Sequence, residues 1–174
     1  MNLIIDLSEI ARLSELNWDR NMEFRTFLKC SSRWADGKKL DALVHKILAE
    51  VTAEIDCTTC GNCCREMGVA VDADDIERLA KRVGISAQEF EERHVAVDND
   101  YGEKFMPETP CPFLGGNLCT VYEDRPAVCR EFPHLHKEHF RSRLFGVVDN
   151  SAMCPIVFNV YEELKHRTNW RPRR

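Results

Sequence analysis

The sequence predicts a helix-rich α+β fold in two parts: a helical extension over residues 1–55, and a cysteine-rich domain with a C-terminal helix over residues 56–174. Three observations lead there. Apolar residues recur at helical spacing in the first third of the chain and again after residue 154. The middle consists of short apolar runs broken by Gly, Asn and Asp. Eight of the nine cysteines fall between Cys57 and Cys154.

In the extension, Leu40, Leu43, Val44, Ile47, Leu48, Val51 and Ile55 make one apolar face, so a helix is expected over about 38–55. An earlier helix is expected over 22–30, with Phe24, Phe27 and Leu28 turned inward. Cys30, on the inner side of that helix, reads as a small buried hydrophobe.

In the second part, the run REMGVAV at 65–71 reads as extended. Asp72 is placed to cap a helix over 73–83 that Gly84 stops. Ser86 and Glu89 form a capping-box pair for a helix over 87–94. Residues 96–110, around DNDYG, read as a loop or hairpin, and Gly115, Gly116 and Asn117 as a turn between two short strands. Asp124 is expected to cap a single-turn helix with Pro126 at an early position and Cys129 at its end. Residues 143–148 read as a strand. A last helix is expected over 154–166, with Pro155 in its first turn and Val157, Val160, Tyr161 and Leu164 inward. The basic tail WRPRR is expected to fray.

The bulk composition narrows the function classes. A hydrophobic fraction of 44% with 30% charged residues suits a folded soluble chain. A net charge of −5 argues against a general nucleic-acid binder. No stretch reaches the ~18–20 apolar residues that span a bilayer, so no membrane association is expected. The opening MNLIIDLSEIARL carries Asp6 and Glu9 where a secretory signal stays uncharged, and a cytoplasmic location is expected. Thiols in that compartment stay reduced, so clustered cysteines point to metal or redox chemistry ahead of disulfides.

The cysteines themselves carry the sharpest signal. Cys57, Cys60 and Cys63 follow one another at two-residue gaps, a spacing that lets neighbouring sulfurs reach one metal while the backbone turns round it. Gly61 suits a tight turn of positive φ in that stretch. Cys64 directly follows Cys63, and adjacent side chains diverge. Cys64 is therefore expected to point to a second centre, or to another part of a larger one. Cys111, Cys119, Cys129 and Cys154 complete a set of eight, which divides into two four-thiolate sites.

The downstream gaps are not the paired two-residue knuckles of a zinc ribbon. The triple two-residue spacing is closer to a ferredoxin run, whose last cysteine precedes proline, as Cys111 and Cys154 do here. An iron–sulfur cluster of the 4Fe–4S type is thus favoured, with zinc as the other reading. Arg125 and Arg130 flank Cys129 and are candidates to stand beside the thiolates, offsetting their charge or holding an anionic group; ordinary surface arginines are the plain alternative. His134, His136 and His139 follow closely but are read as outside a ligand set that eight cysteines already fill.

Taken together, Cys57-x2-Cys60-x2-Cys63-Cys64, the CPFL segment at Cys111, Cys119 in LCTVYEDRP, Cys129 in RPAVCREFP and Cys154 in MCP resemble the YkgJ-type cysteine-cluster family over about residues 56–155. The resemblance implies a zinc- or iron-chelating domain with eight characteristic cysteines. Some members are associated with flagellin lysine methylation. Residues 1–55 fall outside it.

Two classes of function follow. One is a metal protein whose centre is redox-active or assists an oxidoreductase or methylation reaction. The other is a non-catalytic, zinc-stapled module that binds a protein partner. Metal storage or delivery is a weaker third. The chain lacks the Cys-x3-Cys-x2-Cys spacing of radical enzymes and any Gly-rich phosphate loop, and nothing singles out a nucleophilic cysteine or a carboxylate pair. Because the core is modest, metal removal or Cys60→Ser is expected to unfold residues 56–155.

Overall fold

The computed structural model describes residues 2–172. In chain order the helices are α1 (Leu7–Leu16), α2 (Trp18–Cys30), α3 (Gly37–Thr52), α4 (Cys63–Glu66), α5 (Ala73–Val83), α6 (Ala87–His94), α7 (Ala127–Glu131), α8 (Leu144–Asn150) and α9 (Pro155–Arg167). The strands are β1 (Val69–Ala70), β2 (Ala96–Val97), β3 (Lys104–Met106), β4 (Leu114–Gly115) and β5 (Leu118–Cys119). The fold is helix-rich α+β. Its residues group into two units, 1–57 with 133–174, and 58–132.

The helical unit is built on α3 and α9, which pack together, with α1 against α9 and α8 against α2 and α9. The α3 face expected from spacing is buried at Leu40, Val44, Ile47 and Val51, and α9 contributes Val157, Tyr161 and Leu164. Asp6 and Asp36 cap α1 and α3 by accepting from the amides of Glu9 and Lys38. Buried Asn159 holds the chain start to α9, accepting from Ile4 N at 2.9 Å and donating to Ile4 O at 2.7 Å. Tyr161 packs edge-on to Phe24, with centroids 5.3 Å apart, and donates its hydroxyl to Asn21 O at 2.8 Å. Among the described residues, no single helix is long and apolar enough to cross a membrane.

Four local expectations change here. Residues 143–148 are not a strand; Leu144–Asn150 is helical. The run LFGVVDN is too short for periodicity to separate helix from strand, and burial of Leu144, Val147 and Val148 favours the helix. Cys30 is exposed, because α2 ends there and its last residue turns away from the buried Phe24 and Leu28. Trp170 does not fray: its ring lies 5.2 Å from that of Phe24, while Arg173 and Arg174 lie outside the described residues. The third helix stops at Thr52, short of Ile55.

The cysteine-rich unit has its own core. Three short antiparallel strands, in the order β1-β3-β2, set Val69 opposite Met106 and Ala96 opposite Phe105. Val69, Val71, Ile76, Leu79, Phe90, Met106, Phe113 and Val121 pack together under α5 and α6. Both helices start and stop where the sequence signals lie. Asp72 and Asp75 cap α5 reciprocally, Gly84 ends it at φ +79°, and Ser86 caps α6. The GGN turn joins β4 to β5, with Leu114 opposite Cys119.

Candidate metal centre

Three chain segments bring cysteines together in the unit of residues 58–132. The first is the turn Cys60–Cys64, which ends in the single helical turn α4. Gly61 adopts φ +64°, as expected, and a Cβ there would meet Asn117 O at 2.9 Å, so the turn lies directly on the β4–β5 turn. Arg65 fastens the same junction by donating to Cys60 O and Gly116 O, each at 3.0 Å, and to the Asn117 side chain.

The second segment carries Cys111 just ahead of β4 and Cys119 at the end of β5. The amide of Cys111 donates to Cys64 O at 2.7 Å, and Thr120 N donates to Phe113 O at 2.9 Å. The third is α7, which carries Cys129. Asp124 does not cap this helix; it lies in the preceding turn and pairs with Arg82 at 3.5 Å. The amide of Ala127 instead donates to Asp75 Oδ1 at 3.1 Å.

Cys111, Cys119 and Cys129 are half-buried and pack on the apolar core. Their thiols and that of Cys64 act on one another in all six pairings, each thiolate charge opposing the next. Burial and the neighbouring Cys64, Cys111 and Cys119 push the Cys129 thiol up to about 12. A hydrogen bond with Cys63, then burial, raises Cys64, and Arg65 works against that rise. The thiols of Cys63 and Cys64 thus stay in contact, although adjacent side chains on a helical turn were expected to diverge.

Burial also raises Cys111 and Cys119, yet each sulfur accepts a backbone N–H from two residues on, Phe113 for Cys111 and Val121 for Cys119. Arg125 lowers Cys119 and Cys129. Such N–H···S bonds and nearby guanidinium groups favour the thiolate form that binds metal.

The remaining candidates fall elsewhere. Cys60 belongs to the first turn and is half-buried. Cys57 and Cys154 belong to the helical unit, Cys57 exposed and Cys154 buried ahead of α9. His134, His136 and His139 also lie in that unit, where the amide of His139 donates to Asp41. Arg125 stacks over the Tyr122 ring at 3.6 Å. Arg130 donates to Arg125 O at 3.1 Å and also to Glu123 O. Arg65 was not singled out from sequence; its sole signal is its place directly after the paired cysteines.

Among the described residues, no three His, Cys, Asp or Glu side chains close round one point as a finished ligand set. The donor chemistry fits a thiophilic metal nonetheless. Half-buried thiols that oppose one another's ionisation give up their protons near neutral pH more readily when a bound cation offsets the charge, and zinc and iron both take four thiolates.

The sequence profile of the CxxCxxCC family, described as a "Putative zinc- or iron-chelating domain", matches residues 56–154. The chain belongs to that family. The CxxCxxCC match spans more than half of the chain and takes in the eight cysteines from Cys57 to Cys154, leaving out Cys30. Comparison with curated proteins and with solved structures finds no match.

Proposed function

We propose that this CxxCxxCC chain is a metal-binding protein in which Cys64, Cys111, Cys119 and Cys129 form one four-thiolate centre. The observation that carries the reading is geometric: the amide of Cys111 donates to Cys64 O at 2.7 Å, and Cys111, Cys119 and Cys129 pack on one apolar core although they lie up to 18 residues apart. Cys57, Cys60, Cys63 and Cys154 complete the eight ligands on the strength of the family's cysteine set.

An iron–sulfur cluster of the 4Fe–4S type is the first reading. Backbone donors on two sulfurs and arginines beside the thiols are the levers that set a cluster's reduction potential. On this reading the centre transfers electrons or assists an oxidoreductase or methylation reaction on a protein partner. The second reading, a zinc-stapled interaction module, is favoured by the seating of Cys111, Cys119 and Cys129 on the apolar core, since closed structural sites sit in such surroundings.

Anaerobic purification with metal and sulfide analysis tests both. Iron with labile sulfide and a brown chromophore supports the first, and zinc in a colourless protein supports the second. A protein that takes up neither metal on reconstitution overturns the proposal.

A further inference from the structure

The segment between Cys119 and Cys129 is held by arginines at every backbone carbonyl from 122 to 125. Arg125 donates to Tyr122 O and Arg130 to Glu123 O. Arg78 donates from Nε to Asp124 O at 3.1 Å and from Nη2 to Arg125 O at 3.3 Å. Arg130 also reaches Arg125 O.

Arg125 lies on the segment and Arg130 directly after it on α7, so they shape this stretch without tying it to the rest of the unit. Arg78 comes from α5, which carries no cysteine. Its partner Asp75 is 3% exposed and ion-paired to Arg78, and one of its oxygens also accepts the first amide of α7. A five-residue helix does not hold its own position. Asp75 thus serves the start of α5 and holds the first amide of a second helix as well.

We infer that Asp75 and Arg78 are positioning residues for Cys129, fixing through α7 where the fourth thiol of the tetrad stands. A planar guanidinium that spans two consecutive carbonyls and a carboxylate has a geometry that lysine does not reproduce. The inference rests on the four-thiolate reading of Cys64, Cys111, Cys119 and Cys129.

The test is an anaerobic cobalt(II) titration of the full chain and its Arg78→Met, Arg78→Lys and Asp75→Asn variants, with alkylation by iodoacetamide mapped at each cysteine. The expected result is about 10- to 100-fold weaker cobalt binding with a smaller thiolate-to-cobalt absorption. Cys129 becomes open to alkylation while Cys119 stays protected, and Arg78→Lys does not restore the wild-type behaviour. Wild-type affinity and a protected Cys129 in all three variants overturn the inference. So does exposure of Cys119 and Cys129 together, which marks general loosening. Should the wild-type chain itself take no cobalt, the metal reading fails separately. Alkylation of the same proteins without metal then decides: selective gain at Cys129 over Cys119 upholds the positioning role, and equal gain removes it.

Discussion

The amide of Cys111 donates to the carbonyl of Cys64 at 2.7 Å, joining by one backbone bond two cysteines that lie 47 residues apart. Loop closure on that scale costs entropy, and the bond alone does not repay it. The apolar core beneath Phe113, with Arg65 and Gly61 on the adjoining turns, carries the rest. Several consequences can be measured.

Gly61→Ala is expected to lower stability more than Gly84→Ala. Both glycines have positive φ, at +64° and +79°, and a side chain in that region costs about 1–2 kcal/mol. Only at Gly61 does the added Cβ also meet backbone, Asn117 O at 2.9 Å, whereas nothing lies within 4 Å at Gly84. Urea denaturation of both variants checks this. Equal losses would show that the close approach carries no weight.

Tyr161→Phe is expected to cost about 1 kcal/mol at neutral pH, because the buried hydroxyl's bond to Asn21 O, made in addition to that carbonyl's place in the α2 ladder, is lost. Burial, then the Glu162 charge, raises the Tyr161 pKa above its usual value near 10. A raised pKa means that the folded state holds its proton more tightly than the unfolded chain. The resulting stability is full below about pH 10 and is lost progressively as pH rises further. Denaturation midpoints of the wild-type chain should therefore fall above pH 10, and those of the variant should fall less steeply.

The capped elements were legible in the sequence. Asp72, Gly84 and Ser86 mark the ends of α5 and α6 because capping acts over three or four residues. The turn at Gly116 and the N-terminal Pro155 of α9 are local in the same sense. Elements set by distant partners were not. The N-cap position of α7 is Pro126 and its first amide is held by Asp75, 52 residues away, so Asp124, the nearest candidate, was the wrong one. Arg65 became visible only once the Cys60 turn and the Gly116 turn met. Spacing singled out the cysteines as candidates, but the approach of Cys111 to Cys64 and the place of Cys129 depend on the hairpin and on α7, and no spacing encodes that.

Cys64→Ser and Cys129→Ser are each expected to lower bound metal per chain, whereas Cys30→Ser leaves it unchanged. Cys30 is exposed at the end of α2, in the helical unit and outside the family match. Elemental analysis of the three purified variants measures this. Metal loss in Cys30→Ser would add a ninth sulfur to the account.

Chelation is expected to act unevenly along the chain. Metal that binds deprotonated thiolates contributes directly to folding, so its removal should open amides across residues 58–132. The amide of Cys111 should be among the first to lose protection. Amides of α3 and α9 rest on the apolar contacts of their own unit and should keep theirs. Hydrogen exchange with and without chelator, read peptide by peptide, makes the comparison.

X-ray absorption at the zinc or iron edge of the anaerobically purified chain reads the metal's neighbours themselves. Convergence of cysteine thiolates predicts sulfur neighbours alone in the protein shell, four per zinc at about 2.3 Å, or thiolate and sulfide sulfur around iron. A first shell dominated by nitrogen or oxygen, or one unaltered by Cys64→Ser and Cys129→Ser, would contradict it.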